Sequence, residues 1–177
     1  MSINVQQLRA VGRVSDPETQ ELLNRLAAVR ASRRPLCLTA GEFDDILRWK
    51  LKSQYGRQEV RRQANTPDVI EAVTGAAFSI AHPDFDYEME LRVGILCALR
   101  GVAVPVASAI LALVFPEDYG VIDFRVWRQV FGQESSSFAI SDYKRYLSAI
   151  RPLAQELDWT VQEVDLAIWE LDRQMQR

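Results

Sequence analysis

A chain of 177 residues is long enough to bury a substantial core in one compact domain, and its 48% apolar and 25% charged residues exclude an intrinsically disordered polypeptide. The formal net charge of −3 offers no general case for nucleic-acid binding, and two cysteines with a single histidine exclude the usual ligand sets of zinc or an iron–sulfur cluster. No apolar run approaches the ~20 residues of a membrane span, and the start "MSINVQQLRAVGRVSD" lacks the apolar centre of a signal peptide, so a cytoplasmic protein is expected. Cys37 and Cys97 then read as two buried thiols in a reducing compartment.

Taken in chain order, residues 1–14 read as a loose arm ahead of a series of helix starts. Ser15 with Glu18 in "SDPE" and Thr39 with Glu42 in "TAGE" have the spacing of capping boxes. In "NTPDVIEAV", Thr66 offers a cap and Pro67 a first helical residue, and after Pro83 either Asp84 or Asp86 can cap the next helix. His82, in the turn "AHPDF", reads as a loop residue. Thr160 and Glu163 form a last capping box before "EVDLAIWELDRQ", a packing helix with an acidic outer face in which Trp169, like Trp159 just before it, is a core anchor. Apolar residues between these starts recur at three and four: Leu22, Leu26 and Val29, then Phe43, Ile46 and Leu47, then Val164, Ile168 and Leu171. Alternating strand patterns are nearly absent. The expectation is an all-α fold of about eight helices in one domain spanning residues 1–177, with no internal repeat.

Charge is unevenly spread along this series. Nine basic residues face four acids between Arg30 and Arg62, whereas three face six from Arg151 onward. A local basic region on a weakly acidic protein can follow a phosphate backbone, although a solvated helix face has the same composition.

The stretch "LRGVAVPVASAILALVFPEDYGVIDFRVWRQVFG", Leu99 to Gly132, is the most informative. Gly101 can take the positive φ that a helix end needs, Pro105 suits the first turn of a new helix, and Ala107, Ser108 and Ala109 allow close helix packing. The second helix begins with unpaired backbone N–H groups, which bind anions such as phosphate. Farther on, Asp123 stands before "FRVWRQVF", with Gly132 as the residue that ends that helix, so Asp123 is an N-cap worth ~1 kcal/mol without any chemistry being asked of it.

"LRGVAVPVASAIL" resembles the helix-hairpin-helix element of the DNA glycosylase (HhH-GPD) superfamily, L-x-G-V-G-x-x-x-A followed by a small-apolar helix. "VIDFRVWR" is similar to that superfamily's V-D-x-H-V-x-R, whose Asp is the catalytic acid. The two motifs stand in the superfamily's order and spacing and cover about thirty-four residues. The resemblance implies a compact two-lobed helical fold, a DNA base-excision activity with Asp123 as the catalytic residue, and a hairpin whose carbonyls can hold a monovalent cation. Three positions depart from the pattern. Ala103 replaces the second glycine, so that position takes a negative φ or accepts mild strain. Arg125 replaces the histidine. Pro105 stands where lyase-competent members carry the nucleophilic lysine, so the resemblance implies base release without strand nicking. No iron–sulfur module and no other cofactor is expected.

The chemistry asked of Asp123 is cleavage of an N-glycosidic bond, in which positive charge develops on the sugar. A carboxylate beneath that sugar stabilises the charge and directs a water. The base must first leave the stack and enter an aromatic pocket, for which Trp49, Tyr55 and Trp127 are the candidates, each also a plausible packing residue. For DNA contacts the candidates are the backbone from Gly101 through Val102 and Ala103 to Val104, assisted by Arg100, with Lys50, Lys52 and Arg57 on phosphates. Arg125 either pairs with Asp123 or touches the strand. The expected partner is double-stranded DNA carrying a damaged or modified base, bound by a monomer with no membrane involvement. Two other readings are a glycosylase-like fold that binds DNA without cutting it and a helical module for an acidic protein partner.

Overall fold

A computed structural model describes residues 3–176, and among them every regular element is helical. The order is α1 (Val5–Val11), α2 (Pro17–Ser32), α3 (Ala40–Leu51), a 3-10 segment (Lys52–Gln58), α4 (Glu59–Arg62), α5 (Pro67–Ser79), α6 (Phe85–Leu96), α7 (Val104–Val114), α8 (Phe124–Phe131), α9 (Ile140–Leu157) and α10 (Val161–Met175). The all-α expectation holds. The count exceeds eight because a helix forms near the N-terminus and the basic segment breaks into the 3-10 piece and the single turn of α4.

Helix α7 is the centre of the packing. It carries no charged side chain, and Val104 and every residue from Val106 to Val114 are buried. A helix that is apolar all round is stable only when surrounded. Helices α2, α3, α6, α9 and α10 surround this one, with Ala107, Ala109 and Ala112 letting them approach closely. The buried apolar side chains form a cluster reaching from Ile3 to Ile168.

Local signals set most of the boundaries. The boxes Thr39/Glu42 and Thr160/Glu163 form, Thr66 caps α5 with Pro67 in its first turn, and Asp84 rather than Asp86 caps α6. At α2 the cap is Asp16, which accepts the Thr19 amide at 3.0 Å, rather than Ser15. A box from Ser15 would have put Pro17 second in the helix, and the Asp16 cap puts it first, where a missing N–H costs nothing.

The loose arm expected at residues 1–14 is instead docked from Ile3 onward, and Met1 and Ser2 lie outside the described residues. Leu8 is fully buried where α1 packs against α9 and α10, and Arg13 donates to the Asp158 carbonyl at 2.8 Å. Asn4 and Gln7 form a capping box of their own, with Asn, as strong a cap as Ser or Asp, in the capping position. Cys37 and Cys97 are free and half-buried, not buried as expected. Among the described residues no helix is long and apolar enough to cross a membrane.

Candidate active site

The chain between α7 and α8 delivers Asp123. Pro116 follows the end of α7, and the segment returns across α7 and α10 to reach α8. Its path is fixed from beneath. The Ser108 hydroxyl, on the first turns of α7, accepts the Ile122 amide at 3.1 Å, and Tyr143 on α9 donates to the Gly120 carbonyl at 2.9 Å. Gly120 lies so close to α9 and α10 that a Cβ there would stand 2.8 Å from Ile150 Cδ1 and 3.1 Å from Asp165 Cβ. Only glycine fits this crossing without repacking.

At the end of the segment Asp123 caps α8 as the sequence predicted. Its Oδ1 accepts the amides of Arg125 at 2.9 Å and Val126 at 3.1 Å. That leaves Oδ2 toward Lys50, whose Nζ stands 3.6 Å away from the last turn of α3. Both side chains are largely shielded, 12% exposed for Lys50 and 23% for Asp123. The pair lines a cleft of about 410 Å³ walled by Trp49, Val126, Leu166 and Trp169, with Asp165 also on its lining. The Trp49 indole N–H donates to Thr19 Oγ1 at 2.9 Å, which fixes that ring as one wall. Capping and chemical availability are thus divided between the two oxygens of one carboxylate.

Asp165 is the residue that sequence reasoning missed. Helix α10 was expected to show solvent an acidic face, yet Asp165 and Asp172 are 6% and 0% exposed. Val161, Val164, Asp165, Ile168 and Asp172 recur at three and four along α10, so both acids share the apolar face, and that register was the available signal. Asp165 Oδ1 accepts from the Tyr146 hydroxyl at 2.5 Å. Burial raises the Asp165 carboxyl to about 7, and the nearby Asp123 adds to the rise, while the Tyr146 hydrogen bond, Lys50 and the Val121 amide oppose it.

Several expected site residues lie elsewhere. Trp127 is 5% exposed and packs against Phe131 and Phe138 with ring centroids 4.3 and 5.4 Å away, so it belongs to the core and not to a base pocket. Tyr55 stands outside the cleft between the guanidinium groups of Arg48 and Arg62, 4.3 and 4.5 Å from its ring, with its hydroxyl on Asp44. Arg125 does not pair with Asp123. It reaches Asp172 at 3.1 Å and lies over the rings of Phe124 and Trp169. Trp169, expected in the core, is half-buried and faces the cleft.

The basic segment is less available for phosphates than its composition suggested. Arg30, Arg33, Arg48, Lys50 and Lys52 each hold a carboxylate, respectively Glu117, Glu42, Asp44, Asp123 and Glu18. Arg62 is buried and donates to the Tyr55 carbonyl. Arg57 and Arg61 are exposed and make no ion pair among the described residues.

The turn of the hairpin has the expected backbone. Gly101 has φ +79°, Ala103 caps α7 from extended geometry at φ −114°, and Pro105 is in the first turn of α7. The alanine in place of the second glycine is therefore unstrained. Asn65 clasps the turn, accepting the Arg100 amide and donating to the Arg100 carbonyl, both at 2.9 Å. The Val102 amide is used by the Leu99 carbonyl at 3.1 Å, whereas the amides of Gly101, Ala103 and Val104 have no partner among the described residues. The side chains of Val102 and Val104 are buried, so only backbone could act there. The turn does not line the cleft and is joined to it through α7, Ser108 and Ile122.

Among the described residues no group of three or more His, Cys, Asp and Glu side chains is arranged to hold a metal ion. Comparison with protein families, with curated proteins and with solved structures finds no match to this chain.

Proposed function

We propose that this chain is a DNA base-excision glycosylase without lyase activity, built as a single two-lobed helical domain and acting as a monomer on duplex DNA that carries a damaged or modified base. The observation that carries this reading is the division of labour on Asp123. One oxygen is immobilised by the α8 amides, and the other faces Lys50 on the lining of an aromatic-walled cleft of a size suited to a nucleobase.

In the proposed reaction the flipped base enters between Trp49 and Trp169. The N-glycosidic bond breaks with its electron pair leaving on the base, and Asp123 stabilises the sugar cation that remains. Asp123 Oδ2 then takes a proton from the water that attacks C1′ of the sugar. The free amides of the Gly101–Val104 turn and the side chain of Arg100 would hold a backbone phosphate, the carbonyls of that turn a monovalent cation, and Arg57 a further phosphate. Pro105 at the lyase position supports release without strand cleavage.

The test is release of free base from duplexes carrying a panel of lesions, comparing wild type with Asp123→Asn. Release by wild type and its loss in the variant support the reading. A wild type that binds these duplexes and releases nothing would leave a DNA-binding module. Absence of binding at any salt concentration would favour a protein partner instead.

A further inference from the structure

The half-buried Asp123, the buried Asp165 and Lys50 all line the cleft. Asp165 sits on α10 directly beneath the segment that carries Asp123. Its Cβ fills the space a Gly120 side chain would need, its carboxyl takes the Tyr146 hydroxyl and is within reach of the Val121 amide, and it lies on the cleft lining with Lys50. A buried acid kept only for packing would be better replaced by an apolar residue, since burying a carboxyl carries a desolvation cost.

We propose that Asp165 is a positioning residue of the cleft, which holds the segment bearing Asp123 and shares Lys50 with it, so that its ionisation frees more of the Asp123 charge for the substrate; the catalytic consequence rests on the glycosylase reading above. With Asp165 protonated, Lys50 and Asp123 are a neutral pair. When Asp165 gives its proton to solvent, one ammonium serves two carboxylates, the cluster gains a negative charge, and a cationic sugar is held better.

The ionisable groups around Asp165 are Tyr143 and Tyr146 from α9, Lys50 from α3 and Asp123 at the start of α8. Helix α7 brings no ionisable side chain, and α1 brings only Arg9, which is exposed. Farther along the same cleft, Asp16, Glu18 and Lys52 stand on the α2 side, and Glu170 and Arg173 on α10 itself. The Tyr146 phenol is held well above its ordinary value by burial and by Asp165, so it stays protonated and keeps donating.

The chain has three lysines, Lys50, Lys52 and Lys144, so ¹³C labelling of their side chains gives a readable spectrum of the free protein. Titrated from pH 5 to 9, the Lys50 Cε signal is expected to move with a midpoint near 7, Lys52 and Lys144 to lack that step, and Asp165→Asn to abolish it while keeping the Tyr146 hydrogen bond. A Lys50 signal that does not move in this range, or whose step survives in the variant, would overturn the shared cluster.

Activity gives a second readout. Base release from whichever lesion duplex the panel identifies should rise about tenfold with pH through the same midpoint in wild type. It should stay flat at the low-pH level in Asp165→Asn. An identical pH profile in both proteins would leave Asp165 with packing alone and overturn its positioning role. No base release by wild type at any pH, with the Lys50 step intact, would overturn the glycosylase reading and uphold the shared lysine.

Discussion

Asp165 and Asp172 lie two turns apart on one face of α10, both buried, and their carboxyls are displaced in opposite directions. Burial acts on both and raises both. At Asp172 it is outweighed by Gln129, Arg128 and Arg125, all of α8, which hold the carboxyl below its ordinary value. At Asp165 a phenol, an amide and a shared lysine are not enough, and the carboxyl rises to about 7. One helix therefore carries an acid that fastens α8 and an acid placed to change charge near neutral pH.

Stability should follow the two acids with opposite signs. A carboxyl raised in the folded state binds protons that the unfolded chain has already lost, so between about pH 4, the ordinary value of an aspartate, and about 7 the Asp165 contribution falls as pH rises. Asp165→Asn should then match wild type near pH 4 and exceed it at pH 8, by on the order of 1–3 kcal/mol. Urea unfolding at the two pH values checks this, and equal stability of the two proteins at pH 8 would count against it.

Asp172 has the reverse dependence. Its depressed carboxyl contributes stability above the unfolded value and loses it as pH falls through the folded one. Asp172→Ala leaves Arg125 and Arg128 without their buried partner and should cost about 3–5 kcal/mol at pH 7, with a smaller loss at pH 3. Thermal denaturation at both pH values is the measurement.

Capping by Asp123 and its proposed catalytic role can be separated by the choice of substitution. Asparagine caps helices as well as aspartate, so Asp123→Asn keeps the cap and loses only the charge that faces Lys50, and should cost less than about 1 kcal/mol while base release falls by roughly 10² or more. Asp123→Ala loses the cap as well and should unfold about 1 kcal/mol earlier. Parallel denaturation and base-release assays of the two variants test this, and an active Asp123→Asn would remove the catalytic role.

The two tryptophans proposed as pocket residues should part in the same way. Trp127→Ala opens a hole against Phe131 and Phe138 and should cost about 3–5 kcal/mol. Trp49→Ala, at a half-buried cleft wall, should cost less and weaken base release more. Comparing denaturation midpoints with activity ranks them.

Phosphate contacts can be counted from salt dependence. Arg57 and Arg61 are exposed and make no ion pair among the described residues, so Arg57→Gln with Arg61→Gln should lower the slope of log K against log salt by about 1–2. Replacing Lys52, which already holds Glu18, should change the slope less. An unchanged slope in the double variant would take this segment out of the proposed DNA interface.

The sequence displayed what is written locally and concealed what depends on register between helices. The capping boxes of Thr39 with Glu42 and Thr160 with Glu163, the positive φ at Gly101, the left-handed Gly132 and the cap at Asp123 are each decided within a few residues, and each was legible. Asp16 displaced Ser15 because one residue's shift reassigns Pro17, a choice that local spacing leaves open. The Lys50–Asp123 pair joins residues 73 positions apart, and nothing near either one announces the other. Arg125 was drawn to Asp172 for the same reason, by a partner 47 positions along the chain. Trp127 and Trp169 exchanged roles because each helix face was judged without knowing its neighbour.

Asn65 treats the backbone of Arg100 as a neighbouring chain would, answering both its N–H and its C=O. It stands just beyond α4, at the far end of the stretch that holds Arg57 and Arg61. That clasp makes the loop of the hairpin and the arginines of the preceding stretch two prongs of one fork, their gauge set by a single amide side chain. Whatever lies across both prongs meets a fixed spacing, and loosening Asn65 would alter that gauge without touching a charge.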